Sequence, residues 1–391
     1  MHLAPHPKPA HPDPEFGRIV IVHDWLTAKG GAEFVLQTLL EMFPEADLVT
    51  LVDTLPDRDR HWLGNTPVYH YNHWLTRHFA KRYRWFLPLM PRWIENIDLS
   101  DYDLIISSSH TVAKGVIAHP HQTHLAYIYS PMRHAWDLSF AHFRDGSFGK
   151  GLKAWLIRRW LHRFRIWDSV SFMRPDKVIA TSHFIRKRLQ HVANLTTPVV
   201  YPPVPKREPV ATPAPMLNYY LIVSRLVPYK SIDRIIAAFN KMPDKTLIVI
   251  GSGPQTESLK NLAQPNTHFL GYLEDDEVTR WMQYAKAFVH MATEDFGIAP
   301  LEAQSLGTPV IGYAHGALSE TIRDLDCHES PSGVLFHSQT PQALQQAVQK
   351  FETQSQITQD ACKANAERFS QARFKAQFRQ QLTQQGRSPK C

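Results

Sequence analysis

The sequence predicts an α/β protein built from two Rossmann-like halves. Short apolar runs alternate with longer amphipathic stretches over the first half, the pattern of parallel βαβ units. A proline-rich stretch at 201–215 (YPPVPKREPVATPAP) interrupts it, and proline removes backbone donors and favours extended chain. The alternation then restarts at Tyr219. A chain of 391 residues suits two cores better than one.

Residues 18–24 (RIVIVHD) read as a buried strand. Residues 30–43 read as a helix, with Val35, Leu36, Leu39, Leu40 and Phe43 on one face. Further strands are expected at 46–52, 103–109, 124–130 and 177–182. In the second half, strands are expected at 219–225, 246–250, 287–292 and 309–313. Helices are expected at 231–242, 274–285, 297–306 and from 339 to 351 onward. Asp275 and Asp276 read as acids capping a helix start. The division is a loose His/Pro-rich tail at 1–15, an N-terminal domain at 16–203 and a linker at 204–216. A C-terminal domain at 217–370 and a final helix at 371–391 follow. Two such halves place a ligand cleft between them, at the carboxyl ends of the strands.

Composition narrows the function classes. Cys327, Cys362 and Cys391 form no CxxC pair or metal-ligand spacing, which argues against a disulfide framework or a zinc site and for a cytoplasmic setting. No apolar run reaches the ~20 residues of a membrane-spanning helix, and the N-terminus lacks the apolar stretch of a signal peptide. The formal net charge of +7 points to a phosphate-bearing ligand or an anionic surface. No nucleic-acid-binding motif accompanies it, so nucleic acid is not an expected partner.

Three segments carry candidate chemistry. Glu294-Asp-Phe-Gly-Ile-Ala-Pro-Leu-Glu302 leads from a strand into a helix. Gly297 at the transition lets backbone approach a ligand, and the helix N-terminus suits a diphosphate. Glu294 and Glu302 then suit sugar hydroxyls at two points of an elongated ligand, against the plainer reading of a capping acid and a solvated helical Glu. Ser224-Arg-Leu-Val-Pro-Tyr-Lys230 follows a strand and places Arg225 and Lys230 where two cations can neutralise a diphosphate leaving group, against the plainer reading of surface cations in a loop. Gly251 and Gly253 mark a tight turn facing the same cleft. In the first half, Gly30 and Gly31 open a helix whose N–H groups can face phosphate or sugar. The GxGxxG spacing of dinucleotide-binding dehydrogenases is absent. No DxD-like metal motif stands at a plausible strand end.

In this order and on these elements, the chain resembles the retaining GT-B glycosyltransferases of the large group 1 family. HDWLTAKGGAEFVL, VSRLVPYKSIDRIIAAF and EDFGIAPLEAQSLGTPVIGY carry the resemblance, which covers roughly residues 18–351. SSSHTVAKG and AYIYSPMRHAWD look most like bacterial enzymes of surface-polysaccharide synthesis, often mannosyltransferases. The resemblance implies that Glu302 holds the donor ribose and Glu294 the donor sugar. It implies that Arg225 and Lys230 bind the diphosphate, and that Gly30 and Gly31 line it. It implies a reaction with no metal and no other cofactor, with which the lack of a DxD-like motif at a strand end agrees. It adds Phe296, Ile298 and Leu301 to the donor site. Where many relatives have a histidine near the reacting centre, this chain has Tyr129; His110, Arg133 and His134 are further candidates for the sugar or acceptor site. The implied partners are a nucleotide sugar, GDP-mannose first and UDP-hexoses second, and a glycan or lipid-linked acceptor. The resemblance also implies a last helix crossing back to the N-terminal domain. A sugar-nucleotide epimerase on the same fold is the enzymatic rival.

Two basic-aromatic runs, 73–95 and 153–167, have the composition of segments that lie on anionic lipid. They predict peripheral contact with a cytoplasmic membrane face, against the alternative of packed helices with snorkelling cations.

Overall fold

The computed structural model describes residues 12–71, 80–144, 148–212, 214, 216 and 218–383. Two compact units emerge: Met1–Tyr201 with Lys375–Cys391, and Pro202–Phe374.

The N-terminal unit holds a parallel sheet of six strands: β1 (Ile19–His23), β2 (Asp47–Thr50), β3 (Val68–His70), β4 (Leu104–Ser109), β5 (Thr123–Ile128) and β6 (Lys177–Ala180). Their order is β3-β2-β1-β4-β5-β6. Its described helices are α1 (Gly31–Met42), α2 (Met90–Glu95), α3 (Ser139–Arg144), α4 (Gly151–Ser171) and α5 (His183–Ala193). The sheet is parallel because helices cover both faces, so the central strands β1 and β4 are buried throughout. Helix α1 buries Val35, Leu36, Leu39 and Leu40, the face its periodicity predicts.

The C-terminal unit repeats the design with β7 (Tyr219–Val223), β8 (Thr246–Ile250), β9 (Thr267–Gly271), β10 (Ala287–His290), β11 (Val310–Tyr313) and β12 (Gly333–Phe336). The order is β12-β11-β10-β7-β8-β9, again all parallel. Helices α6 (Ile232–Phe239), α7 (Thr256–Leu262), α8 (Asp275–Gln283), α9 (Ile298–Ser305), α10 (Leu318–Thr321), α11 (Pro341–Glu352) and α12 (Gln359–Glu367) surround it. Helix α13 (Gln371–Thr383) ends the described chain. From Lys375 on it belongs to the N-terminal unit, where Phe378 packs on Tyr127, ring centroids 6.0 Å apart, and Lys375 pairs with Glu41 at 2.8 Å.

Each sheet runs outward from one strand in one direction, then returns to that strand's other side and runs the opposite way. The winding reverses between β1 and β4, and again between β7 and β10. Loops leaving the carboxyl ends of such a strand pair diverge, and ligands of doubly wound proteins bind there.

Several sequence expectations need correction. Strands β3, β9 and β12 were not among the expected elements; each is a short edge strand, and VYH and THFLG are partly exposed, so neither offers a continuous apolar run. Of the expected loose tail at 1–15, residues 1–11 lie outside the described residues. Asp13 closes a turn on Gly17, and Phe16 packs edge-on against Phe43 with centroids 6.2 Å apart. In the run at 73–95, residues 73–79 lie outside the described residues, while Met90, Trp93 and Ile94 of α2 are buried in the core. That end of the run faces protein. Helix α8 begins after Glu274, and neither Asp275 nor Asp276 occupies the cap position; both lie in the first turn.

Candidate functional site

In the C-terminal unit, the loop after β7 carries Arg225 and Lys230, and the loop after β10 carries Glu294. Lys230 Nζ donates to Glu294 Oε1, bringing the two motifs together at the switch point. His290, the last residue of β10, sets its Nε2 3.5 Å from the same oxygen. Burial pushes the His290 imidazole down to about 4, against the opposing pull of Glu294, so the ring is neutral near pH 7. Arg225 is exposed and donates to the Tyr229 hydroxyl at 2.8 Å.

Backbone contacts hold the Lys230 loop. Ser224 N–H donates to Ile250 O at 3.0 Å, and Leu226 N–H to Ser252 O at 2.9 Å. This close approach requires glycine in the β8 turn: a Cβ at Gly251 would lie 1.9 Å from Ser224 O, and one at Gly253 2.3 Å from Leu226 O. Gln339 ties the loop to β10, its amide donating to Ser231 Oγ at 3.1 Å and to Met291 O at 2.8 Å. Gly297, at φ +87°, caps α9 and turns the chain so that the first-turn N–H groups of Ile298 and Ala299 begin beside Glu294.

Glu302, within α9, is nearly buried. Its Oε1 accepts from Arg207 Nη2 at 3.1 Å and Nε at 3.2 Å. Arg207 is fixed in turn by Thr279 Oγ1 at 2.8 Å. Burial raises the Glu302 carboxyl above its ordinary value, outweighing the Arg207 charge.

In the N-terminal unit, Asp24 follows β1 and is fully buried. The consecutive N–H groups of His110, Thr111, Val112 and Ala113, following β4, all donate to its carboxylate at 2.5–2.9 Å. His110 Nδ1 lies 3.0 Å from Asp24 Oδ2. Burial opposes the charge on both partners, but each stabilises the other: Asp24 is held far below the usual carboxylate range and His110 is raised.

Beside them runs a hydrogen-bonded chain. Tyr129 OH donates to Ala32 O at 3.2 Å and lies 2.9 Å from Ser108 Oγ, which lies 3.0 Å from His23 Nδ1. With Tyr129 donating to Ala32, Ser108 donates to Tyr129 and His23 donates through Nδ1–H. His23 Nε2 then faces Glu33, 3.8 Å away in the first turn of α1. Burial raises the Glu33 carboxyl and the His23 contacts lower it, with a net shift downward.

Residues 207–369 match the family model described as glycosyl transferases group 1. The C-terminal unit is a group 1 glycosyl transferase domain. A GDP-mannose-dependent monoacylated alpha-(1-6)-phosphatidylinositol monomannoside mannosyltransferase of Corynebacterium glutamicum is 36% identical over 114 residues, covering 25% of this chain and 30% of that enzyme. A D-rhamnosyltransferase of Pseudomonas aeruginosa is 28% identical over 138 residues, 34% of this chain and 35% of the relative. The chain thus spans about a third of the length of these relatives. Two solved structures extend the likeness to both units. HepE of Anabaena, in complex with UDP, superposes with a TM-score of 0.66 at 17% identity, covering 94% of this chain and all of that one. A sucrose-phosphate synthase of Thermosynechococcus elongatus gives a TM-score of 0.71 at 17% identity, covering 95% of this chain and all of that one. At that identity the likeness establishes the fold: two Rossmann-like domains of the GT-B type.

Within the glycosyl transferase domain, Lys230, Glu294, Gly297 and Ile298 gather at the switch point, as their spacing suggests. Gly251 and Gly253 serve the backbone contact under the Lys230 loop. Phe296 and Leu301 are core residues: Phe296 packs on Phe369, centroids 5.5 Å apart, and Leu301 is fully buried. Their side chains do not form a binding surface. His290 and Arg207 were not anticipated. A histidine closing a strand carries a weak signal, whereas Arg207 lay in a stretch read as linker. In the N-terminal unit, Gly30 and Gly31 open α1 beside the His23–Glu33 pair. Tyr129, expected at the reacting centre, has its hydroxyl engaged by Ala32 and Ser108, and burial raises its pKa. It positions the start of α1. His110 belongs to the Asp24 group. His134 instead pairs with His142 at 2.9 Å, and Arg133 lies 4.0 Å from Asp137. Asp24, His23 and Glu33 are the additions here.

Proposed function

We propose that this protein transfers a hexose, mannose from GDP-mannose, to a glycan or lipid-linked acceptor with retention of anomeric configuration. The reaction needs no metal ion. It serves surface-polysaccharide synthesis at the cytoplasmic face of a membrane, where the protein is peripherally bound. The observation that carries this reading is the Lys230–Glu294 pair at the β7/β10 switch point, inside the segment that matches the group 1 family. GDP-mannose dependence in the names of curated relatives supports the donor.

On this reading Lys230, Arg225 and the N–H groups opening α9 take the diphosphate. Glu302 accepts from ribose hydroxyls, and Glu294 from hydroxyls of the sugar. The bond from the anomeric carbon to the diphosphate oxygen breaks as the bond to the acceptor oxygen forms. The acceptor proton passes to the departing phosphate, whose charge the cations and helix N-terminus balance.

Thermal shift with GDP, UDP, GDP-mannose, UDP-glucose and UDP-N-acetylglucosamine tests the donor, since a ligand stabilises by RT ln(1 + [L]/Kd). GDP-mannose should stabilise most, and incubation with acceptor should release GDP equally with or without EDTA. Stabilisation by UDP-sugars alone reassigns the donor. Release of GDP or UDP only when magnesium or manganese is added sinks the metal-free mechanism.

A further inference from the structure

Membrane contact is part of the reading above, and helix α4 (Gly151–Ser171) offers a surface for it. The helix buries Ala154, Leu161, Phe164 and Asp168 toward the core. Its opposite face exposes Leu152 (72%), Trp155 (55%), Leu156 (53%), Ile166 (55%) and Val170 (51%). At helical spacing these five lie on one stripe about 100° wide, with Arg159 and Arg163 between them. A helix packed on a core ordinarily turns a polar face outward. This one turns out an apolar stripe studded with cations.

The charge pattern selects the occupant. The one acid in α4, Asp168, is fully buried and held by Lys114 Nζ and Trp136 Nε1, each at 2.7 Å. The exposed cations are Lys153, Arg158, Arg159 and Arg163, and no exposed acid accompanies them on the helix. A second copy packed on this face by a two-fold axis would set one cation-bearing stripe against another, bringing Arg159 and Arg163 close to like charges. An anionic bilayer takes both components: acyl chains receive Leu and Trp, and headgroup phosphates receive Arg and Lys. The neighbouring helix α3 adds Phe140, 72% exposed. It is braced on α4 by Arg158 over the Phe143 ring at 4.4 Å.

We propose that α4 is an interfacial helix that seats the N-terminal unit on an anionic lipid surface. Leu152, Trp155 and Leu156 enter the headgroup–acyl boundary, and Lys153, Arg159 and Arg163 contact lipid phosphates. This rests on the membrane-contact part of the proposed function and is independent of the donor.

The full chain is sedimented with vesicles of phosphatidylcholine alone or mixed with phosphatidylglycerol. Wild type should bind the anionic vesicles at least tenfold more strongly. It should be released between about 0.1 and 1 M salt, where the screening length falls from ~10 to ~3 Å. Leu152→Ser/Trp155→Ser/Leu156→Ser should weaken binding at least tenfold. Arg159→Gln/Arg163→Gln should weaken it and flatten its salt dependence. Circular dichroism and nucleotide-induced thermal shift should match wild type in both variants. A triple variant that binds vesicles like wild type removes α4 from the contact while leaving membrane binding intact. Wild type that stays in the supernatant with every vesicle overturns the proposal and the membrane reading together. Dimerisation of wild type, lost in the triple variant, assigns the face to a second copy and overturns it too. Nucleotide-induced shifts report separately on donor binding.

Discussion

Lys230 and Glu294, 64 residues apart in the chain, meet as an ion pair between the ends of β7 and β10. The pair is nearly buried, with side-chain exposures of 18% and 16%. Two groups proposed to face different parts of one donor therefore contact each other directly, and each sets the other's position.

Lys230→Ala should lower turnover about a hundredfold or more, because charge growing on the diphosphate loses a preorganised cation. Glu294→Gln should lower it by a separate factor. A double-mutant cycle distinguishes the roles. If Glu294 acts only by holding Lys230, adding Glu294→Gln to Lys230→Ala changes nothing; if it touches the sugar, kcat falls again. Wild-type kcat/KM in both single variants would remove the pair from the site.

Gly251→Ala should disturb the same site from below. Its Cβ would meet Ser224 O at 1.9 Å, and the backbone there has φ of +127°. Neither problem is relieved by moving a side chain, so the Ser224–Lys230 loop must shift. The expected result is a loss of about 2–4 kcal/mol in urea unfolding and a larger fall in kcat than in thermal stability would suggest. Unchanged stability and activity would mean that the loop relaxes freely.

The sequence carries much of this architecture because buried parallel strands leave continuous apolar runs: IVIVH, LIISSS, YYLIV and TLIVI are legible by eye. The edge strands β3 and β9 are not, since they are short and partly exposed. The switch-point cations and carboxylates are legible because motif spacing places them at strand ends. The partners that fix them are not. Arg207 reaches Glu302 across 95 residues, and Asp24 collects N–H groups from residues 86–89 positions away. Such pairings depend on tertiary register, to which neither propensity nor periodicity refers. Tyr129 shows the converse: its place at the end of β5 is legible, but the two bonds that engage its hydroxyl are not.

Arg207→Ala should expose the strain on Glu302. The Glu302 carboxyl is raised in the folded state, so its contribution to stability is fully present below the unfolded carboxylate range and is lost as pH rises through the folded value. Removing Arg207 raises that value further and leaves an unpaired, nearly buried carboxylate at neutral pH. The variant should lose about 3 kcal/mol at pH 7.5 and distinctly less at pH 4.5. Urea unfolding at the two pH values checks this. An equal loss at both would show that Arg207 contributes packing rather than charge.

Asp24→Asn should lower the His110 titration midpoint. In wild type His110 is raised, so its share of stability is complete below pH 6.5 and fades as pH rises through the folded value. Asp24 is depressed, so its share is present above the ordinary carboxylate range and fades only in strong acid. The Asn variant keeps one acceptor oxygen for four N–H donors and should lose about 3 kcal/mol. NMR titration of the His110 ring should show the downward move. A midpoint unchanged from wild type would detach His110 from Asp24.

The stereochemical outcome bears most directly on the proposed reaction. Inversion requires a base that activates the acceptor on the face opposite the leaving group. The two carboxylates proposed for the donor site are otherwise engaged: Glu294 by Lys230, and Glu302 by Arg207. His290 is neutral but buried, with Glu294 3.5 Å from its Nε2. The departing diphosphate can itself take the acceptor proton, and it lies on the face it leaves. Attack from that face places the new bond where the old one was. An α-linked donor should therefore yield an α-linked product, and Tyr129→Phe should retain turnover within about tenfold, since its hydroxyl positions α1. The product's anomeric proton and carbon resonances decide the first point, and steady-state kinetics the second. A β-linked product would require a general base on the opposite face, and would overturn the retaining mechanism whichever nucleotide the donor carries.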